Sequence, residues 1–103
     1  MKQYLNSNQT AKLIELGLPK PRYYCTDKYT IIHTGFDIIN YSIGELLSFL
    51  PLTIQWTPRV IRGNVIEYSF VTEGSELYYC NAHNELIDNL FDLCVKLKEE
   101  GVI

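Results

Sequence analysis

The chain has 103 residues, of which 47% are hydrophobic and 20% are charged, and it carries a net charge of −3 at neutral pH. This length suits one domain, and the composition is globular rather than disordered, so we predict a single domain over residues 1–103. The chain has nine basic and twelve acidic side chains. That balance argues against a duplex nucleic-acid partner, because such binding depends on neutralising phosphates.

Neither a membrane span nor an export signal is predicted. The best candidate span, residues 38–56, is interrupted by Glu45 and Pro51, whereas a spanning helix needs about 20 mostly apolar residues. The N-terminal residues lack the apolar core of a signal peptide. Three cysteines, an odd number without such a signal, favour free thiols. We therefore expect a soluble cytoplasmic protein.

The first predicted helix runs from near Ser7 to Leu16, with Asn6 or Ser7 accepting hydrogen bonds from the free amides of its first turn. Gly17 follows, and then Leu18 and Pro19. This composition is typical of a left-handed helix end, in which the residue after the glycine folds back onto the last turn. Leu18 is therefore expected to be buried.

The second predicted helix begins at a capping box, Ser42-Ile43-Gly44-Glu45, in which the two polar side chains satisfy each other's backbone amides. Pro51 disfavours helical geometry at Leu50 and is expected to stop the helix after about two turns. Between these signals, apolar residues recur at the i, i+3, i+4, i+7 spacing of one helix face: Ile43, Leu46, Leu47 and Leu50.

The third predicted helix runs from near Asn84 to about Glu100 and ends at Gly101, after which Val102 and Ile103 are expected to dock on the core. Its inner stripe is spaced as one helix face: Leu86, Leu90, Leu93 and Leu97.

The remaining segments read as strands: Arg22–Cys25, Tyr29–His33, Leu52–Thr57, Val65–Thr72 and Leu77–Ala82. Gly63-Asn64 is a hairpin turn signal, and the last three strands are expected to form an antiparallel meander. The predicted order is α-β-β-α-β-β-β-α. It indicates an α+β fold in which three helices pack mainly on one face of an antiparallel sheet of four to five strands.

Three blocks of the sequence carry a resemblance that covers most of the chain. They are Gln9, Ala11, Leu13 and Glu15-Leu16-Gly17-Leu18-Pro19; Tyr41-Ser42-Ile43-Gly44-Glu45-Leu46-Leu47 with Leu50-Pro51; and Glu85-Leu86-Ile87-Asp88 with Leu90, Leu97, Glu100-Gly101 and Val102-Ile103. In these blocks the chain resembles small uncharacterised proteins encoded by prophages and integrated mobile elements of gut bacteria. The resemblance implies a mobile-element origin, a cytoplasmic location and the fold given above. It implies no activity.

No catalytic motif, phosphate-binding glycine loop or metal-ligand spacing occurs, so we predict no enzyme activity, no cofactor and no metal. Two cysteine–histidine pairs are conceivable nucleophile–base pairs: Cys25 with His33, and Cys80 with His83. Strand cysteines are more often core residues. Acidic pairs on the third helix, such as Asp88 with Asp92, are expected to be solvated surface.

Aromatic residues are the compositional excess, with eight tyrosines in the chain. Trp56 lies close to two arginines, Arg59 and Arg62, and this combination is typical of contact patches. It is also the composition of an ordinary edge strand protected by proline and charge. We predict a binding surface with Trp56 and one of the neighbours Tyr78 and Tyr79 on the helix-free face, and both arginines at its rim.

The leading functional hypothesis is a non-catalytic protein-interaction or accessory module of a mobile element, whose partner is another copy of itself or a different protein. The alternative is a weak single-stranded nucleic-acid binder that uses four basic residues and stacking tyrosines: Arg59, Arg62, Lys20 and Arg22. A small hydrolase ranks third. No membrane partner and no small-molecule ligand are inferred.

Overall fold

The computed structural model describes residues 2–21, 40–70 and 75–103. Their elements are α1 (Ser7–Glu15), α2 (Ile43–Phe49), β1 (Thr53–Ile54), β2 (Thr57–Arg62), β3 (Val65–Phe70), β4 (Ser75–Cys80) and α3 (Leu86–Glu99). The four strands form one antiparallel sheet in the order β1-β2-β3-β4. The predicted α+β class is confirmed. Two predicted strands, Arg22–Cys25 and Tyr29–His33, lie outside the described residues.

Two of the helices begin at reciprocal capping boxes. The Ser42 hydroxyl of α2 accepts from the Glu45 amide at 3.2 Å, and the Glu45 carboxylate accepts from the Ser42 amide at 3.2 Å, as predicted. At α1 the cap is Asn6, with Gln9 as its reciprocal partner. These contacts satisfy amides that would otherwise lack an acceptor in the first turn, so both helix starts are fixed locally.

The ends of α1 and α3 share one geometry. Gly17 has φ = 97° and Gly101 has φ = 76°, values that only glycine adopts without strain. The amide after each glycine bonds back to the last helical turn: Leu18 to the Leu13 carbonyl at 3.1 Å and Val102 to the Leu97 carbonyl at 2.8 Å. Leu18 is buried as predicted.

The hydrophobic core lies between the helices and the inner face of the sheet, with α3 packed against α2, β3 and β4. It includes the predicted α3 residues Leu90, Leu93 and Leu97. Of the C-terminal pair, Ile103 packs on the core, whereas Val102 is exposed. In the part of the chain that the structure describes, no helix combines the length and apolarity needed to cross a bilayer.

The predicted strand Leu52–Thr57 is wrong, because a tight turn interrupts it. β1 ends at Ile54, the turn is Gln55–Trp56, and the chain returns as β2, whose Thr57 pairs with Ile54. The error has a physical cause. Such two-residue turns require positive φ at both positions and usually carry Asn and Gly, so Gln-Trp gave no turn signal.

The meander itself is confirmed, with β2 as its first strand. β2 turns at Gly63–Asn64 into β3, and Gly63 has φ = 61°. β3 then pairs with β4, with a register shift after Tyr68. Ile66 and Tyr68 face the core, as the alternation predicts.

Candidate functional site

A two-stranded hairpin projects from the sheet next to α2. We call residues 52–58 the Trp56 hairpin. Pairing between β2 and β3 begins at Arg59 opposite Tyr68, so the residues before Arg59 are paired only with the short strand β1. Trp56 at its tip is 89% exposed, and Leu52 at its base is 73% exposed. No residue of this hairpin carries a charge. The hairpin therefore presents an uncharged surface with two large apolar side chains in water.

The turn of the Trp56 hairpin is conformationally costly. Gln55 has φ = 50° and Trp56 has φ = 67°, in the left-handed region that costs an L-residue about 1–2 kcal/mol. Trp56 is exposed, so packing of its indole does not offset this cost. Strained residues that do nothing for the core are often found at binding sites. The tip is therefore the candidate functional site with the clearest structural signal.

Arg59 has a different place from the one predicted. Its Nη1 donates to the Leu47 carbonyl at 3.0 Å and to the Leu50 carbonyl at 3.3 Å, at the C-terminal end of α2. A helix end leaves its last carbonyls short of amide donors, and the Leu47 carbonyl accepts from the Leu50 amide, at 3.3 Å, as well as from Arg59. Arg59 thus ties α2 to the sheet, and its guanidinium is turned inward rather than outward to the rim of a surface.

Arg62 lies on the opposite face of β2 from Arg59, because residues three apart in a strand point to opposite faces. Its Nη2 forms an ion pair with Glu67 Oε1 at 2.5 Å, and the Glu67 side chain is only 2% exposed. In the register of the sheet, Glu67 lies between Val60 and Tyr79. The predicted helix-free face therefore does not consist of solvent-exposed side chains alone, since it contains a buried carboxylate held by Arg62.

The two neighbouring tyrosines of β4 point to opposite faces, as expected. Tyr78 packs against the core and makes an edge-to-face contact with Tyr68 at a ring distance of 6.3 Å. Lys96 Nζ lies 5.6 Å from the centre of the Tyr78 ring. Tyr79 is on the other face and is 44% exposed. Of the pair, Tyr79 is therefore the one that is exposed to solvent.

The five predicted residues therefore do not form one patch. Trp56 is at the hairpin tip, Arg59 caps α2, Tyr78 belongs to the core side, and Arg62 and Tyr79 share the face of Glu67. Sequence reasoning missed the exposure of Leu52. It also missed a groove beside α2, because that groove depends on how Pro19 and Lys20, which follow α1 in the chain, are placed against α2.

This groove has a volume of about 470 Å³, and we call it the α2 groove. Phe49 and Pro19 give it apolar walls, Lys20 and Glu45 supply one positive and one negative charge, and Ser42 and Ser48 border it. Gly44 also lines the groove, where a Cβ would approach only Ser42 Oγ, at 3.9 Å. Such a site can accept an apolar ring that carries one polar group.

The cysteines and histidine within the described residues form no nucleophile–base pair. His83 Nε2 lies 2.8 Å from Asp92 Oδ2, and no hydrogen bond joins His83 to Cys80. Burial raises the pKa of Cys80. Burial also raises the pKa of Cys94, to about 12. A reactive thiol needs a lowered pKa, so neither group is activated. The other conceivable pair, Cys25 with His33, lies outside the described residues.

Asp88 is not the solvated surface acid that the sequence suggested. Its Oδ1 accepts from Lys2 Nζ at 2.8 Å and from Gln9 Nε2 at 2.9 Å, which joins α3 to the N-terminal segment. Burial by itself raises the pKa of Asp88, but these bonds and the charge of Lys2 together hold it below its ordinary value. Asp92 is engaged separately with His83. The two acids therefore have different partners.

Across the described ranges, no cluster of side chains could hold a metal ion.

Comparison with protein-family models, with curated proteins and with solved structures finds no match to this chain.

Proposed function

We propose that this chain is a non-catalytic protein-interaction module, that it belongs to a mobile genetic element, and that it binds its partner through the Trp56 hairpin. The observation that carries the proposal is the state of Trp56: it is 89% exposed and sits at a strained turn that contributes no packing to the core. Tryptophan is among the residues most enriched at energetically dominant protein contacts. The mobile-element origin rests on the sequence resemblance alone.

The composition of the hairpin favours protein over nucleic acid as the partner. Residues 52–58 carry no charge, whereas single-strand binders combine stacking aromatics with cations that track the backbone. Two of the arginines on which the nucleic-acid alternative depends, Arg59 and Arg62, are engaged within the chain. Lys20 lies in the α2 groove, and Arg22 lies outside the described residues.

Affinity capture with purified protein tests the proposal. Wild type is compared with Trp56→Ala and with Val102→Ala, which removes an exposed apolar side chain remote from the hairpin in sequence. We expect Trp56→Ala to lose the captured protein and Val102→Ala to retain it, with both variants melting like wild type. Capture should change little with salt, since no charged residue lies in the hairpin.

A gel shift with a single-stranded oligonucleotide tests the alternative that the chain binds nucleic acid. Nucleic-acid binding weakens steeply with salt because counterions are released. A salt-sensitive shift that Trp56→Ala removes would favour the nucleic-acid alternative. Capture that is indifferent to Trp56→Ala would refute the hairpin as the contact.

A further inference from the structure

The α2 groove offers the contacts that the solvent-exposed indole of Trp56 does not make in its own chain. An indole that leaves water needs apolar walls and an acceptor for its ring N–H. The α2 groove offers Phe49 and Pro19 as walls and the Ser48 hydroxyl as an acceptor. Lys20 adds a cation to the same lining as the Glu45 carboxylate, and a cation over an indole face is attracted to it. The volume of about 470 Å³ lies within the range of pockets that hold small ligands.

Trp56 does not occupy the groove of its own chain, since 89% of its surface is exposed. The two features nevertheless lie close together in the chain. Phe49 ends α2 and also lines the groove, and Leu52, at the base of the hairpin, follows three residues later. A two-fold arrangement that places the tip of each copy in the groove of the other would use both features twice.

We propose that two copies of this chain associate through such an exchange, with Trp56 of each copy in the α2 groove of the other. This inference rests on the proposed function, and it names a second copy as the partner. An exchange of this kind is isologous, so it closes after two copies and does not continue as a fibre.

The area available fits a symmetric dimer better than an open chain. A buried tryptophan accounts for about 200 Å², and the groove loses a similar area. With two exchanged tips and the exposed Leu52 side chains, the total approaches about 1,000 Å², the lower limit for a specific interface. A one-sided contact would bury half of that, which is the size of a crystal-packing contact. The dimer is therefore expected to be weak, with a dissociation constant in the micromolar range.

The protein carries its own reporter, because Trp56 is its only tryptophan. We expect the emission maximum of wild type to move to shorter wavelength as concentration rises, in parallel with a monomer-to-dimer transition in sedimentation velocity. Trp56→Ala should remain a monomer, with association weakened at least about thirtyfold. Lys20→Ala should weaken association roughly two- to fivefold, from the lost cation–π contact.

Two substitutions at Gly44 test the contribution of the groove to dimerisation independently of the hairpin tip. A Cβ at this helical position meets only Ser42 Oγ, at 3.9 Å, so both variants should fold. Gly44→Gln extends a side chain into the groove and should abolish the dimer. Gly44→Ala leaves the groove open and should dimerise like wild type. If both variants dimerise like wild type, the α2 groove is not the receptor and the inference is overturned.

Mixing variants tests the exchange itself. Gly44→Gln keeps its indole but has a blocked groove, whereas Trp56→Ala has an open groove and no tryptophan signal. Half of the binding free energy of a micromolar dimer corresponds to a dissociation constant of about 1 mM, so titrating Trp56→Ala into Gly44→Gln to about 1 mM should restore part of the emission shift. Absence of any shift overturns the inference.

The failure of this inference is distinguishable from failure of the proposed function. Wild type that stays monomeric with unshifted emission at about 1 mM overturns the dimer. If Trp56→Ala nevertheless loses a captured protein, the interaction module stands with a different partner. If neither self-association nor capture depends on Trp56, both are wrong.

Discussion

A substitution in the turn of the Trp56 hairpin should stabilise the fold, although it removes the exposed indole that forms the proposed binding surface. Replacing Gln55 and Trp56 together by Asn and Gly installs the pair that two-residue turns of this kind favour. The present pair has φ = 50° and 67°. Left-handed geometry costs each L-residue about 1–2 kcal/mol, and the replacement relieves most of that cost.

Two terms oppose the gain. Glycine loses more backbone entropy on folding, which costs about 0.5–1 kcal/mol. The small buried part of Trp56, which is 89% exposed, is also lost, at about 25 cal/mol per Å². The net expectation is a stabilisation of about 1 kcal/mol, or a rise of roughly 4–8 °C in melting temperature for a domain of this size.

Urea and thermal unfolding of wild type and the Asn-Gly variant measure this effect. The matched control is Trp56→Ala, which removes the indole but keeps an L-residue in the left-handed region, so its stability should stay close to wild type. An Asn-Gly variant less stable than wild type, at an unchanged m-value, would refute the reasoning. It would mean that Trp56 stabilises the fold.

Three further outcomes follow from the contacts described. Ser42→Ala should destabilise the fold by about 1 kcal/mol in urea melts, because the Glu45 amide loses its acceptor; a neutral result would place the start of α2 elsewhere. Arg59→Ala should cost about 1–2 kcal/mol, since carbonyls at the end of α2 lose a charged donor, and an unchanged melt would show that this cap is unimportant. Burial raises the pKa of Tyr68 to about 12, so stability should fall as pH rises from about 10 to 12, because the unfolded chain ionises first. Absorbance titration beside thermal melts, with Tyr68→Phe as control, checks this.

The parts of the fold that the sequence predicted well are those with a local cause. The capping box at Ser42, the stop at Pro51 and the glycine end at Gly17 each act through neighbouring residues, and the structure contains all three features. The buried face of α3 was predicted for a similar reason, because burial along the helix follows the helical period.

The candidate site depended on tertiary structure and was predicted less well. The sequence predicts one continuous strand over Leu52–Thr57, because neither Gln55 nor Trp56 is a usual turn former. Arg59 and Arg62 were grouped by proximity in sequence, yet strand geometry puts them on opposite faces, where α2 carbonyls and Glu67 engage them. The buried Glu67 breaks the rule that strand acids point to water, and only its partner explains it.

The most direct test of the central claim, that the Trp56 hairpin is a protein-binding surface, is a photo-crosslink from position 56. A benzoylphenylalanine placed there preserves a large aromatic group at the exposed tip, and irradiation in cells that carry the protein captures whatever touches it. The account predicts a discrete crosslinked protein, either a second copy or another chain, and no such product from a crosslinker at Val102. Irradiated samples that contain only the free monomer, or only adducts with nucleic acid, would contradict it.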